Sequence, residues 1–424
     1  MARTLSPFFS RTYGGFTASQ EEYIGSLVDD VKRPAVIFDP MAGQGKALAR
    51  YAQLGHSVIL ADLNPAVACL AGLRDPELIR CADELADALT AVLAQVRCRT
   101  KQISCLEFSP TWLPTPVSES LAVLGRKLSL GPNDLIKADG ALWRLPPLSR
   151  FAMGIVVLAA RDLATYRESD NSTWLKVGGL ARVLNVRGPL LEAIQRWVTL
   201  VADAAHPGVR TKGHLRCYVG DCTRRAPRTF TKSGVDLVVT SPPYANRLDY
   251  SILWAPEVAA LEALLGAAGF SIKGPQIGTA VVRGKRPSED EIALLPATYR
   301  HALDEIRSDR ASKASDTYYH PFFANYGLQL RNALIRAAEA VRPGGRMVVF
   351  VRDTTRKRTL VPVASLVTSV LRDEADLIQA DTREVSIQRH IGLRRRSEVI
   401  ASGSLVQRER WLTFRRRVER CASN

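Results

Sequence analysis

Histidine is scarce in this chain, and no pair of its cysteines has the CxxC spacing. With only 6 histidines in 424 residues, no zinc-ligand cluster can be read. The 7 thiols, Cys69, Cys81, Cys98, Cys105, Cys217, Cys222 and Cys421, are odd in number and scattered. That excludes a disulfide framework and fits reduced thiols in a cytoplasmic protein. Long apolar runs are missing too. The strongest, Phe151 to Ala160, falls short of the roughly 20 residues that span a bilayer, so it reads as a buried helix or strand and no membrane partner is expected. Met1 to Phe9 has no apolar core of the signal-peptide kind. There is no internal repeat and no low-complexity tract.

Positive charge is abundant. Lys and Arg number 58 against 42 Asp and Glu, a formal net charge of +16. Such a surplus attracts polyanions, nucleic acid foremost. With 46% hydrophobic residues the chain can bury one large domain with an insertion, or two domains.

Near the N-terminus, Ser19 is a candidate helix N-cap, with Gln20, Glu21 and Glu22 in the first turn. The period then changes. Ala35 to Phe38 reads as a buried strand, Asp39-Pro40-Met41-Ala42-Gly43-Gln44-Gly45 as a loop, and Lys46 to Leu54 as a helix. Ser57 to Ala61 is a second strand that ends at Asp62. This β-loop-α-β unit opens a parallel α/β sheet. Glycines in such a loop let the backbone approach a ligand. An acid 23 residues after Asp39 suits ribose hydroxyls. The glycines are G-x-G and not G-x-G-x-x-G, which argues against a nicotinamide enzyme. Asp39 would repel a phosphate but suits the amino group of a methionine moiety.

From about 70 to 213 the rhythm is lost. Helical patterns at 76–96, 150–166 and 189–204 suggest a large, mostly helical insertion. The sheet resumes with strands at 216–219, before Gly220-Asp221, and at Val235 to Thr240. After a variable region from about 250 to 316, a helix over 322–341 is expected to end at Pro343-Gly344-Gly345. A strand over 346–351, a helix over 360–371, and two late antiparallel strands near 380–388 and 396–401 follow.

The second of these resumed strands delivers Ser241-Pro242-Pro243-Tyr244. An exocyclic base amine is a poor nucleophile, because its lone pair is delocalised into the ring. Acceptors at the amine hydrogens draw the nitrogen toward a tetrahedral, nucleophilic form. Ser241 Oγ and the Pro242 carbonyl are the candidate acceptors. Adjacent prolines stiffen the loop and aim that carbonyl. Tyr244 can stack on a base that has left its helix. The methyl then passes in line from a sulfonium, and positioning supplies the catalysis. Alone, the tetrapeptide is also compatible with a proline turn beside a buried tyrosine.

Together, the two segments resemble the DNA amino-methyltransferases, which make N4-methylcytosine or N6-methyladenine. The resemblance covers residues 15–70 and 214–401. It implies a doubly wound, mixed seven-stranded sheet, the Rossmann-like class I S-adenosylmethionine-dependent methyltransferase fold. The domains would be a cofactor-binding first part over 1–70, a helical insertion over 71–213 that is a candidate target-recognition region, and a catalytic second part over 214–424. By resemblance, Asp39, Pro40, Met41, Ala42, Gly43 and Gly45 bind the methionine part of S-adenosylmethionine. Asp62, with Leu63 beside it, binds the ribose. Asp221, beside Cys222, contacts the adenine. Phe16 and Thr17 line the same pocket. The catalytic set is Ser241, Pro242, Pro243 and Tyr244, and no metal is implied.

Serine in the first place leans toward cytosine N4 over adenine N6. The order of segments, cofactor before catalytic, weakens that preference, because many N4-cytosine enzymes are permuted the other way. The implied partner is double-stranded DNA with the target base flipped out. The setting is restriction–modification or another defence system, with a cognate nuclease or other defence proteins, or an orphan modification enzyme. An RNA methyltransferase acting on guanine N2 of tRNA and an inactive nucleic-acid-binding protein of the same fold remain alternatives.

Asn246, Arg247 and Asp249 follow the tetrapeptide and are candidates for touching the base or its phosphates, with a helix N-cap as the plain role for Asp249. Arg283, Lys285 and Arg286 form a phosphate clamp or a solvated loop. Arg394-Arg395-Arg396, and Arg415-Arg416-Arg417 with Trp411 and Phe414 nearby, suit nucleic-acid contact or a basic amphipathic helix. His390 is expected to be structural or a minor site contact, because the amine loses its proton after transfer and no general base is needed.

Overall fold

A computed structural model describes residues 15–96, 111–131, 133–137, 140–167, 175–178, 187–204, 213–224, 234–246, 249–267, 276–279, 282, 286–310, 313–386 and 408–418. In chain order the elements are α1 (Ala18–Asp29), β1 (Val36–Asp39), α2 (Lys46–Gln53), β2 (Ser57–Asp62), α3 (Pro65–Gly72), α4 (Pro76–Arg80), α5 (Ala82–Ala94), α6 (Thr115–Lys127), α7 (Asp134–Lys137), α8 (Pro147–Leu163), β3 (Tyr166–Arg167), β4 (Lys176–Val177), α9 (Arg187–Ala204) and β5 (His214–Val219). Then come β6 (Val235–Thr240), α10 (Tyr250–Leu253), α11 (Ala255–Leu265), α12 (Glu289–Ala293), α13 (Ala297–Ser308), a π-helical turn over Ser315–Tyr319, and α14 (His320–Glu339). The chain continues through β7 (Val341–Arg352), β8 (Thr354–Arg356), β9 (Thr359–Val361), α15 (Val363–Asp373), β10 (Leu377–Ser386) and β11 (Arg408–Arg416).

Seven strands form one sheet in the order β10-β11-β7-β6-β1-β2-β5. β1 and β2, β2 and β5, and β6 and β7 pair in parallel, whereas β11 runs antiparallel to both β7 and β10. This is the mixed seven-stranded sheet of the class I methyltransferase fold that the sequence led us to expect. The chain divides into two compact units. The first comprises residues 1–221 and 249–276, the second residues 222–248 and 277–424. The helices of the stretch read as an insertion therefore belong to the same unit as β1, β2 and β5.

Local chemistry explains the elements. α3 and α4 begin with Asn64-Pro65 and Asp75-Pro76, an oxygen cap followed by a proline whose missing N–H costs nothing at that position. β6 is six buried residues of which three are valine, as a strand in the middle of a parallel sheet requires. In the first unit, α8 packs against α3, α9 and α11. The apolar run Phe151 to Ala160 is therefore a buried helix. Arg150 of α8 pairs with Asp75 at 2.6 Å, and Arg161 pairs with Glu257 of α11 at 2.5 Å, so the helices meet through paired charges as well as apolar faces. No described helix is long and apolar enough to cross a membrane.

Several expectations are corrected. The N-cap of α1 is Thr17, not Ser19: Thr17 Oγ1 accepts from Gln20 N at 3.3 Å, and Gln20 Oε1 accepts from Thr17 N at 2.6 Å. Pro343-Gly344-Gly345 does not separate a helix from a strand, because β7 already starts at Val341. A register shift against β6 between Val235 and Leu237 absorbs the irregular residues. The second late strand is β11, over 408–416. The expected strand at 396–401 lies outside the described residues, as do Arg394-Arg395-Arg396 and His390. Trp411 and Phe414 are 4% and 0% exposed. They are core residues of a strand, not stacking platforms on a basic helix. Trp411 to Phe414 are buried in succession, so both faces of β11 are covered there, while Arg415 is exposed.

Candidate active site

In the first unit the glycine loop leaves the carboxyl end of β1. Asp39 is the last residue of that strand, is buried, and takes the Met41 amide at 3.0 Å on Oδ1, which turns the chain at Pro40. Ala42 N bonds to Ala61 O, and Gly45 N to Ala42 O, each at 2.9 Å. Gly43 N then donates to Asp62 Oδ2 at 2.8 Å, while Asn64 N donates to Asp62 Oδ1 at 2.8 Å. The Asp62 carboxylate thus stitches the glycine loop to the turn after β2, a role the sequence did not announce. Burial raises its pKa, and the two backbone N–H groups oppose that shift. Each oxygen uses one lone pair on the loop and keeps another for a ligand hydroxyl.

The two glycines differ. Gly43, at φ +54°, has nothing within 4 Å of where a Cβ would sit. It provides conformation and an open approach. Gly45, at φ +61°, would drive a Cβ into Leu60 Cδ1. It lets α2 start hard against β2. Behind the loop lies a residue that sequence reasoning missed. Arg74, 6% exposed, donates from Nε to the Gln44 carbonyl at 3.3 Å, and burial lowers its pKa to about 10. Burial, and then Arg74, lower the pKa of Lys46 at the start of α2. No sequence pattern distinguishes Arg74 from a surface arginine.

Of the other expected cofactor residues, Leu63 is half-buried beside Asp62 and Thr17 caps α1 beside the half-buried Phe16. Gly220 N donates to the Asp62 carbonyl at 2.9 Å, which sets the turn carrying Asp221 after β5. Cys222, also half-buried, is not part of a disulfide. A carboxylate with spare acceptor positions, an open glycine loop and a second acid after the neighbouring strand are the donor set that a nucleoside linked to an amino acid requires. The residues present therefore fit S-adenosylmethionine. Among the described residues no His, Cys, Asp or Glu cluster could hold a metal.

In the second unit β6 delivers Ser241 to Tyr244 at its carboxyl end. Pro242 is buried, and Ser241, Pro243 and Tyr244 are half-buried. Four contacts fix this turn. Tyr326 of α14 donates its hydroxyl to the Pro243 carbonyl at 3.0 Å. Asn246 N donates to the Tyr244 carbonyl at 2.8 Å. Gly278 backs the turn so closely that a Cβ there would lie 3.4 Å from both the Tyr244 carbonyl and the Tyr326 ring. Finally, the Tyr244 hydroxyl donates to Glu409 Oε1 of β11 at 3.3 Å. The Arg352 guanidinium lies over the Tyr244 ring, 4.5 Å from its centroid. Burial, with Glu409 next, raises the Tyr244 pKa; Arg352 and Ser241 oppose the shift. Tyr326, Arg352 and Glu409 were not anticipated, because each lies more than 80 residues beyond the tetrapeptide.

The remaining candidates separate cleanly. Asn246 is exposed after the turn. Asp249 is 2% exposed and is the N-cap of α10, with Oδ1 accepting from Ser251 N at 2.9 Å, from Ile252 N at 3.3 Å and from the Ser251 hydroxyl. Its plain role holds, and it is withdrawn as a base or phosphate contact. Arg247, Arg283 and Lys285 lie outside the described residues.

No protein-family model and no curated protein matches the chain. Among solved structures, two of the rRNA methyltransferase aviRa from Streptomyces viridochromogenes are similar at 12% identity and a TM-score of 0.27. They align over 96% and 95% of this chain and over 87% and 86% of theirs. At that score the likeness says nothing about activity; strand order and strand direction define the fold.

Proposed function

We propose that this chain is an S-adenosylmethionine-dependent methyltransferase acting on the exocyclic amino group of a base in double-stranded DNA, cytosine N4 ahead of adenine N6. The reading is carried by the stiff Ser-Pro-Pro-Tyr turn at the carboxyl end of β6, where open α/β sheets place their ligands. The glycine loop and Asp62, at the carboxyl ends of β1 and β2, support the cofactor. The surplus of 16 positive charges supports a nucleic-acid partner. Serine in the first place of the turn supports cytosine. A defence role, with a cognate nuclease, is the setting the resemblance implies.

Bound S-adenosylmethionine supplies an electrophilic methyl group on a sulfonium. Ser241 Oγ and the Pro242 carbonyl accept the two amine hydrogens. Tyr326 occupies the Pro243 carbonyl, not that of Pro242, so the frame of the turn does not compete with the substrate for this contact. Tyr244 stacks on the flipped base with the ring face that Arg352 does not cover. The amine proton leaves to solvent after transfer, so no histidine is required.

The test is transfer of labelled methyl from S-adenosylmethionine to DNA or RNA by the wild-type chain and by Tyr244→Ala. Label in DNA, lost in a variant that melts like wild type, is the expected result. Label in RNA alone would replace the DNA reading. Label in neither nucleic acid would remove the enzyme reading and leave a nucleic-acid-binding protein.

A further inference from the structure

We infer that the β8–β9 hairpin is a docking surface for duplex DNA: Arg358 at its tip takes a backbone phosphate beside the target base, and Leu360 packs against the same DNA strand. The inference rests on the proposed function and deepens it by naming a contact of its substrate. β7 runs parallel to β6, with Val349 beside Thr240, so both strands lead to the catalytic turn. Arg352, the last residue of β7, lies 4.5 Å from the centroid of the Tyr244 ring, and β8 starts two residues later. The hairpin therefore rises from the edge of the candidate site.

The hairpin is held at three levels. At its root Asp353 Oδ1 accepts from Ala364 N at 2.8 Å, which ties the entry of the loop to its exit, and Val361 is buried. In the stem the Arg356 guanidinium lies 3.6 Å from the centroid of the Tyr319 ring. At the tip Lys357 Nζ pairs with Asp309 Oδ2 at 2.8 Å. Lys357 is the first residue of a two-residue turn and has φ +53°, a region that glycine, asparagine or aspartate usually fills in hairpins. The chain accepts strain there and keeps a cation that ties the tip down. Residues opposite each other in an antiparallel pair share a face. Thr355 and Leu360 are such a pair and both are exposed, whereas Thr354–Val361 and Arg356–Thr359 are buried or half-buried. Leu360 is 51% exposed. Arg358 is exposed too, and unlike Arg356 and Lys357 it has no partner among the described residues. A guanidinium, a hydroxyl and an apolar side chain on one hairpin match a nucleotide strand: the first two suit phosphate oxygens, the third a sugar or base. A hairpin already fixed loses little freedom on docking.

The test is binding of a fluorescein-labelled, mixed-sequence DNA duplex, read by anisotropy over a series of KCl concentrations. Arg358→Ala should weaken binding about 10-fold and lower the slope of log affinity against log salt by about 1, the loss of one phosphate contact. Arg358→Lys should keep the slope. Leu360→Ala should weaken binding about 3- to 10-fold with the slope unchanged, because an apolar contact releases no counterion. Arg415→Ala removes the same charge toward the amino end of β7, where Arg415 pairs with Arg346 in register, and should change neither quantity. Each substituted side chain is exposed, so the variants should keep the wild-type Tm. Equal losses in Arg415→Ala and Arg358→Ala would reduce the effect to overall charge and overturn the proposal. Wild-type binding by Arg358→Ala, or a loss seen only with an RNA duplex, would overturn it as well. Methyl transfer to DNA with binding unaltered in the variants would remove the hairpin and leave the proposed function. The expected slopes without any methyl transfer by the wild-type chain would keep the hairpin and count against the proposed function.

Discussion

Replacing Gly45 by alanine should separate two costs that the glycine loop combines. The first is conformational: φ is +61°, and a residue with a Cβ loses roughly 1–2 kcal/mol in that region. The second is steric: the new methyl would overlap Leu60 Cδ1, and Leu60 is 2% exposed in the core behind β2. Such overpacking typically costs about 1–3 kcal/mol. Gly45→Ala should therefore destabilise the first unit by about 2–5 kcal/mol, read from urea unfolding. Gly43→Ala carries only the first cost, because nothing lies within 4 Å of its Cβ position. Leu60→Val removes the overlapping carbon and costs about 1 kcal/mol by itself. Added to Gly45→Ala it should restore about 1–3 kcal/mol, the steric part, as a favourable coupling. Equal losses at both glycines, or strict additivity in the Gly45–Leu60 cycle, would refute the division of labour.

Three further outcomes follow from the geometry. Asp62→Asn leaves either Gly43 N or Asn64 N without its acceptor and removes the carboxylate. S-adenosylmethionine affinity by calorimetry should fall about 10- to 100-fold, and an unchanged Kd would show that Asp62 only braces the loop. Tyr326→Phe frees the Pro243 carbonyl. It should lower kcat with little effect on cofactor affinity and about 0.5–1.5 kcal/mol of stability; a cofactor-binding defect instead would contradict its assignment to the catalytic turn. His320, at the start of α14, has its pKa lowered by burial and then by Arg307, against Asp316, Glu289 and Asp304. A depressed folded-state pKa gives stability that is present above the unfolded value, about 6.5, and lost as pH falls through the folded value. Acidification across that window should lower the wild-type Tm more than that of His320→Gln, and parallel Tm curves would refute the assignment.

The β-loop-α-β opening was legible because its signals are local: an apolar run, two glycines, and an acid at the end of the next strand. The tetrapeptide was legible for the same reason. What surrounds it was not. Arg352 reaches Tyr244 because β7 pairs with β6, and Glu409 because β11 inserts antiparallel beside β7, pairings between segments distant in the chain and invisible to local periodicity. The same insertion explains the misread C-terminus. Arginines flanking aromatics look like a nucleic-acid surface until the sheet shows that both faces of β11 are covered from Trp411 to Phe414. Thr17 displaced Ser19 as the cap of α1 because the reciprocal bond with Gln20 satisfies two backbone groups at once. Asp249 looked like a site residue by its place in the chain, and its burial and the three donors to Oδ1 make it a helix cap.

The most direct test is to incubate unmodified double-stranded DNA with the chain and S-adenosylmethionine, digest it to nucleosides, and identify the products by mass spectrometry. The account predicts N4-methylcytosine, absent when Ser241 is alanine. N6-methyladenine would keep the chemistry and overturn the base. Methylation at a ring carbon, or no methylated nucleoside from any nucleic acid offered, would contradict the central claim.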